Sequence, residues 1–172
     1  MPLEEEVMAP ESGDTETLIS KHAERLGVDP STAYDNLLEF AEVVGQVESN
    51  GDLTALNIPQ KGKEASSAAG KYQFVKGSIE PALNRLARTL GELPWMAELR
   101  ENKDVTVLDN EQQTLLFLGE MLEKKGSDKY MKDIMASGDK TKMLEAYYKL
   151  HHTNPDNATR KRAVKYFMDL EV

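Results

Sequence analysis

The stretch that opens Asp29-Pro30-Ser31-Thr32 and closes Val47-Glu48-Ser49-Asn50-Gly51-Asp52 decides the fold class. Asp29 offers a side-chain oxygen to free amides, and Pro30 sits where a missing N–H costs nothing, so a helix starts here. It runs to about Val47 and meets residues that favour turns and left-handed backbone. Leu37, Ala41, Val44 and Glu48 follow one another by four, three and four residues and therefore share one helical stripe. A carboxylate is thus placed on the apolar side of a helix, close to its C-terminus.

The same helical spacing recurs on both sides. Leu18, Ile19, His22, Ala23 and Leu26 predict a short helix from Asp14 that Gly27 ends. Ser78 is expected to cap a helix carrying Ile79, Ala82, Leu83, Leu86 and Leu90, closed by Gly91. Pro94-Trp95-Met96 opens one more turn. Asp109 with Gln112 reads as a capping box ahead of Leu115, Leu116, Leu118, Met121 and Leu122. Shorter helices are expected near Ser127, Asp139 and Asn157. Residues 52–70 contain Pro59, two glycines and the run Ser66-Ser67-Ala68-Ala69-Gly70, which predicts a loop or small hairpin.

Residues 1–13 offer little to bury and read as a flexible acidic lead-in, leaving 14–172 as one domain. A chain of 172 residues suits a single core. Neither repeats nor sustained heptads occur. The fold class that follows is mainly α, a compact helical domain with a small loop or hairpin lobe.

Composition narrows the function. A net charge of −9 opposes a surface built for nucleic acid, and the cluster Arg160-Lys161-Arg162 reads as a solvated helix face. The same acidity gives no general attraction to an anionic cell wall, so specific groove contacts or a tether would have to hold the chain there. No apolar run approaches bilayer length, and Met1-Pro2-Leu3-Glu4-Glu5-Glu6 does not look like a secretory signal; no membrane partner is expected. Absence of cysteine excludes a thiolate nucleophile. His151 and His152 are adjacent, diverge by ~100° on a helix, and lack a His-Glu-X-X-His setting, so no metal and no cofactor are expected. One of the two should be buried and the other exposed.

Glu48 carries the chemistry. Burial and nearby helix C-terminal carbonyls both disfavour its charged form, which predicts a pKa above the ordinary glutamate value of about 4.3 and a group able to give a proton to a leaving oxygen. Helix geometry by itself leaves a second reading, a Glu that snorkels or caps at its helix end, and favours it. Gly70 permits close approach of a ligand to backbone, and the Gln73 amide can both donate to and accept from polar groups of that ligand. Tyr72 or Phe74 could offer a ring face to a sugar; the other should pack inward, since strand neighbours point to opposite sides.

Glu48-Ser49-Asn50-Gly51-Asp52 followed by Ser67-Ala68-Ala69-Gly70-Lys71-Tyr72-Gln73 resembles the paired signature of lysozyme-like lytic transglycosylases, in the phage form, lambda lysozyme-like or tail-associated. The resemblance spans roughly residues 35–155 and implies a lysozyme-like α+β fold with a hairpin lobe flanking a sugar groove. It implies Glu48 as catalytic acid and base, and Ser49, Ser67, Tyr72 and Gln73 along the groove. Ala146-Tyr147-Tyr148-Lys149-Leu150-His151-His152 matches a third motif in part, with Tyr148 where the family carries Asn; Tyr147, and second to it His152, take a groove-lining role.

The implied activity is cleavage of the bond between N-acetylmuramic acid and N-acetylglucosamine in peptidoglycan, with a 1,6-anhydro product. The implied setting is a phage enzyme, virion-associated or acting in the host periplasm, tethered within a larger virion or tail protein or released as an endolysin. Two alternatives stand beside it. One is a muramidase or chitinase hydrolase on the same fold, which would need a second carboxylate; Asp52 and Glu64 are candidates, though both read better as solvated loop acids. The other is a catalytically weak virion structural or binding domain.

Overall fold

Asp29 caps as its sequence predicts, accepting from the Thr32 amide at 3.0 Å, and Asn50 closes the helix it starts in a left-handed conformation, φ 58°. The computed structural model describes residues 10–56 and 67–168. Among these, α1 spans Pro10–Leu26, α2 Pro30–Ser49, α3 Lys76–Leu90, α4 Met96–Asn102, α5 Asn110–Glu123, α6 Asp128–Ser137, α7 Lys140–Ala146 and α8 Asn157–Met168. A 3₁₀ turn, Val105–Val107, precedes α5, and a π turn, Tyr147–His151, continues α7.

The molecule is mainly helical. Both halves of the Asp109–Gln112 capping box form, at 2.8 and 2.9 Å, and Asp139 caps α7 through the Thr141 and Lys142 amides. Two expected starts move. Helix α1 begins at Pro10 rather than Asp14, so only residues 1–9 of the expected lead-in remain, outside the described residues. Helix α3 begins at Lys76, and Ser78 sits inside its first turn, its hydroxyl donating to the Val75 carbonyl at 2.7 Å.

Helix α5 is the axis of the core. Every residue from Gln113 to Leu122 is buried, so the helix has no wet face over that length and α1, α2, α3 and α6 pack around it. Phe117 lies at its centre, edge-on to Phe40 at 5.5 Å and stacked on Tyr72 at 4.6 Å with an interplanar angle of 8°. Helix α2 contributes Leu37, Phe40, Ala41, Val44 and Val47 and also meets α6 and α8.

The expected hairpin lobe is not observed among the described residues. Isolated bridges join Leu56 to Ala69 and Ala69 to Phe74, and no strand forms around them. The loop is held by a side chain instead. Gln113, fully buried, accepts from the Lys71 amide at 2.8 Å and donates to the carbonyls of Leu53, Val105 and Leu108 at 3.0–3.1 Å. Gly70, at φ 81°, is where this amide comes closest: a Cβ there would meet the Gln113 oxygen at 2.6 Å. A tight turn and close approach both require glycine at this position.

This clamp is testable. Gln113→Leu keeps the volume but leaves the Lys71 N–H and three carbonyls without their partner, and should cost about 2–4 kcal/mol. The expected readout is a lower urea midpoint with an unchanged slope; an unchanged midpoint would remove the clamp from the account.

Candidate functional site

Glu48 lies in the last turn of α2, on the stripe begun by Leu37, Ala41 and Val44, which are at most 1% exposed. Its side chain is 7% exposed, and it lines a cavity of about 560 Å³ together with Gln73, His152, Asp156 and Arg162. The predicted stripe therefore does deliver a buried carboxylate to a hollow.

Two donors meet on a single oxygen. The Tyr147 hydroxyl donates to Glu48 Oε2 at 2.6 Å, and His152 Nδ1 lies 2.8 Å from the same atom. Their convergence comes from the π turn. In an α-helix, residues five apart diverge by ~140°, but an i to i+5 hydrogen bond, here His152 N to Tyr147 O at 2.9 Å, widens the turn and brings them to one side.

Beneath them is a buried ion pair. His151 Nδ1 is 2.7 Å from Glu120 Oε1, and its Nε2 donates to the Tyr72 carbonyl at 2.7 Å; both side chains are under 10% exposed. With an acceptor at each nitrogen, the ring holds two protons. Burial, the largest single effect, would lower its pKa, but the Glu120 carboxylate, joined by the Glu48 charge and the Tyr72 carbonyl, outweighs it and pushes it up to about 9. Among the two histidines, one is buried and the other, His152 at 34%, is partly exposed, as expected.

The predicted rise in the Glu48 pKa is not observed. Burial does push it up, but the His152 hydrogen bond, the His151 charge and the Tyr147 hydroxyl together outweigh burial and lower it. Helix-end desolvation was readable from sequence; the charge brought from a segment a hundred residues away was not. Glu48 rests as a carboxylate.

Several expected groove residues serve other ends. Tyr72 is fully buried, stacked on Phe117 with its hydroxyl 3.0 Å from Thr114 Oγ1, and Phe74 is 3% exposed, so neither ring faces a sugar. The alternation argument fails because Gly70 to Phe74 is a tight turn, not a strand. Tyr147, fully buried, does not line the cavity but positions Glu48 from behind. The Ser49 hydroxyl donates to the Lys71 carbonyl at 2.7 Å and accepts from the Asp52 amide, tying the loop to α2. Ser67 accepts from the Lys76 amide at the start of α3. Gln73 and His152 do line the cavity; Gln73 holds a left-handed backbone, φ 54°, with its amide donating to the Gly70 carbonyl at 2.9 Å.

Asp52 is exposed and binds Thr54, as a loop acid would; Glu64 lies outside the described residues. The second carboxylate of the cavity is Asp156, which caps α8 by accepting from the Thr159 amide at 2.8 Å. Its spacing to Thr159 was a readable cap signal, but nothing linked it to Glu48. Arg162, read as part of a solvated cluster, reaches into the cavity wall and donates to the Val47 carbonyl at 3.0 Å. Among the described residues, no group of three or more His, Cys, Asp or Glu is arranged to hold a metal, and no helix is long and apolar enough to cross a membrane. No family model, curated protein or solved structure matches the chain.

The buried pair carries a pH signature. A His whose folded pKa is raised stabilises fully below its unfolded value near 6.5 and loses that contribution as pH rises through about 9. Urea midpoints measured from pH 6 to 10 should therefore fall across that window, and the fall should flatten in His151→Gln. A wild-type midpoint constant over the window would mean that His151 is not held as a cation.

Proposed function

We propose that the protein is a peptidoglycan lytic transglycosylase in which Glu48 is the acid and then the base. The observation that carries this reading is the buried Glu48 carboxylate at the cavity, held on one oxygen by Tyr147 and His152, with the Gln73 side chain lining the same cavity. Both hydrogen bonds fall on Oε2, so Oε1 is the oxygen assigned to the glycan. A lysozyme-like arrangement, in a form where a loop stands in for the hairpin lobe, belongs to this proposal, as does a phage setting.

Cleavage requires a proton on Glu48, which the resting site lacks. A glycan filling the cavity excludes water, and the burial that already pushes Glu48 upward then grows against the His152 bond. Glu48 gives its proton to the glycosidic oxygen as the bond to C1 breaks, leaving an oxocarbenium-like centre. The carboxylate then takes the proton of the muramic acid 6-hydroxyl while that oxygen closes on C1. No water is consumed and one carboxylate suffices.

Asp156 supports a second reading, hydrolysis, because it is a carboxylate in the same cavity and could activate water. Mass spectrometry of muropeptides released from purified peptidoglycan separates the two. Ends lacking one water, formed by wild type and absent with Glu48→Gln, are expected. Reducing ends would favour the hydrolase, and no products would leave a binding domain.

The resting charge of Glu48 adds a pH test. Since kcat/KM reports the free enzyme, it should fall as pH rises above the carboxylate range. His152→Ala removes a bond that lowers the Glu48 pKa, so the fall should move to higher pH. A limb that stays in place would show that His152 does not hold the charge.

A further inference from the structure

Helix α8 concentrates positive charge in a chain of net charge −9. Its residues 157–168 include Arg160, Lys161, Arg162 and Lys165 and no acid. Arg162 is spent on the cavity wall, donating to Val47 O and Thr159 Oγ1. The other three are exposed, and none of them takes part in an ion pair among the described residues. They line a surface hollow with Val164 and Ala158, and Ala158 also lines the cavity of Glu48, so the two spaces adjoin at that residue.

Local stability accounts for only part of this charge, since Lys165 in the last turn is the one cation the helix dipole favours. Arg160 and Lys161 fall in the first half of the helix, toward the end where its dipole disfavours cations, and Lys161 and Lys165 are like charges one turn apart. Arg160 is nonetheless held in a defined place, its guanidinium 5.4 Å from the centre of the Tyr148 ring. Three exposed cations without an ion pair among the described residues, two toward the helix N-terminus and Lys165 in its last turn, adjoin the cavity and are complementary to an anion on whatever occupies it.

We propose that the exposed face of α8 is a subsite for the carboxylates of the peptide stems carried by the glycan strand in the Glu48 cavity. The proposal rests on the reading of that cavity as a glycan site. Helix α8 is about 18 Å long, enough for a stem leaving a sugar at the Ala158 end to run along it. Stem peptides carry more free carboxylates than amines, so Arg160, Lys161 and Lys165 meet them with opposite charge, and Val164 offers an apolar contact between. The site would favour strands with intact stems over stripped strands.

The test is calorimetric titration of the Glu48→Gln protein with soluble glycan strands, either with intact stems or stripped of them by an amidase. Intact strands should bind about tenfold tighter, with the difference shrinking as salt rises. The surface double variant K161E/K165E, in the same background, should lose that preference while keeping its affinity for stripped strands. Equal binding of both strands, binding of neither, or a preference that survives the double variant overturns the subsite. The failures are distinguishable: cleavage of stripped strands by wild type without stem preference removes only the subsite, whereas stem preference without any cleavage removes the transglycosylase and keeps the subsite.

Discussion

The imidazolium of His151 sits between the Glu120 carboxylate and the Tyr72 carbonyl, with a bond of 2.7 Å to each. It joins three segments distant in sequence: the core helix α5, the loop before α3 and the π turn after α7. A charge buried this deeply persists only because its partner is buried with it, and removing one member would strand the other. The position of the loop, the width of the turn and the charge on Glu48 all depend on this contact. The Tyr72 ring is held inward by Phe117 and Thr114 while His151 fixes its carbonyl, and Tyr147 and His152 reach Glu48 from a turn pinned at His151.

Around that contact, polar side chains replace the sheet that a loop lobe would otherwise need. Gln113 binds four backbone groups from one buried position, and Lys71, 6% exposed, donates to Glu42 and Asn110 on α2 and α5. A loop fixed this way keeps Gln73 in a left-handed conformation that an unsupported glutamine would leave, at a cost of order 1–3 kcal/mol. Strain of this kind is retained where the surroundings over-determine the backbone, and here it sets the one side chain of the turn that faces the cavity.

Charge is divided between the two ends of the site. The buried end balances two carboxylates, Glu48 and Glu120, against His151, with Lys124 also beside Glu120, and the outer end carries cations of α8 that form no ion pair among the described residues. The inner set tunes a single carboxylate over short distances at low polarity, where each interaction is strong. The outer set works through solvent, where attraction is weaker and depends on salt. Proton handling belongs to the first and recognition to the second.

The helices and several of their ends were legible in the sequence, because caps and apolar spacing act within a few residues: Asp29, Asp109, Asp139, Gly27 and the stripe from Leu37 to Glu48 stand as read, while the starts expected at Asp14 and Ser78 moved. The apolar stripe that carries Glu48 was legible for the same reason, but helix geometry by itself favoured a snorkelling or capping side chain, and the 7% exposure of this one comes from the segments packed over it. What Tyr72, Tyr147 and the two histidines do was not, since a motif names residue types and cannot say which side of a turn they take. The regular helical step fails at the π turn, which brings Tyr147 and His152 to one side, and the sign of the Glu48 pKa shift was not legible because it depends on charges brought from a hundred residues away. The sequence by itself determined the helical elements and the carboxylate on a buried stripe; only the tertiary structure decided which groups surround that carboxylate and hold it charged, because electrostatics is set by distance in space and not along the chain.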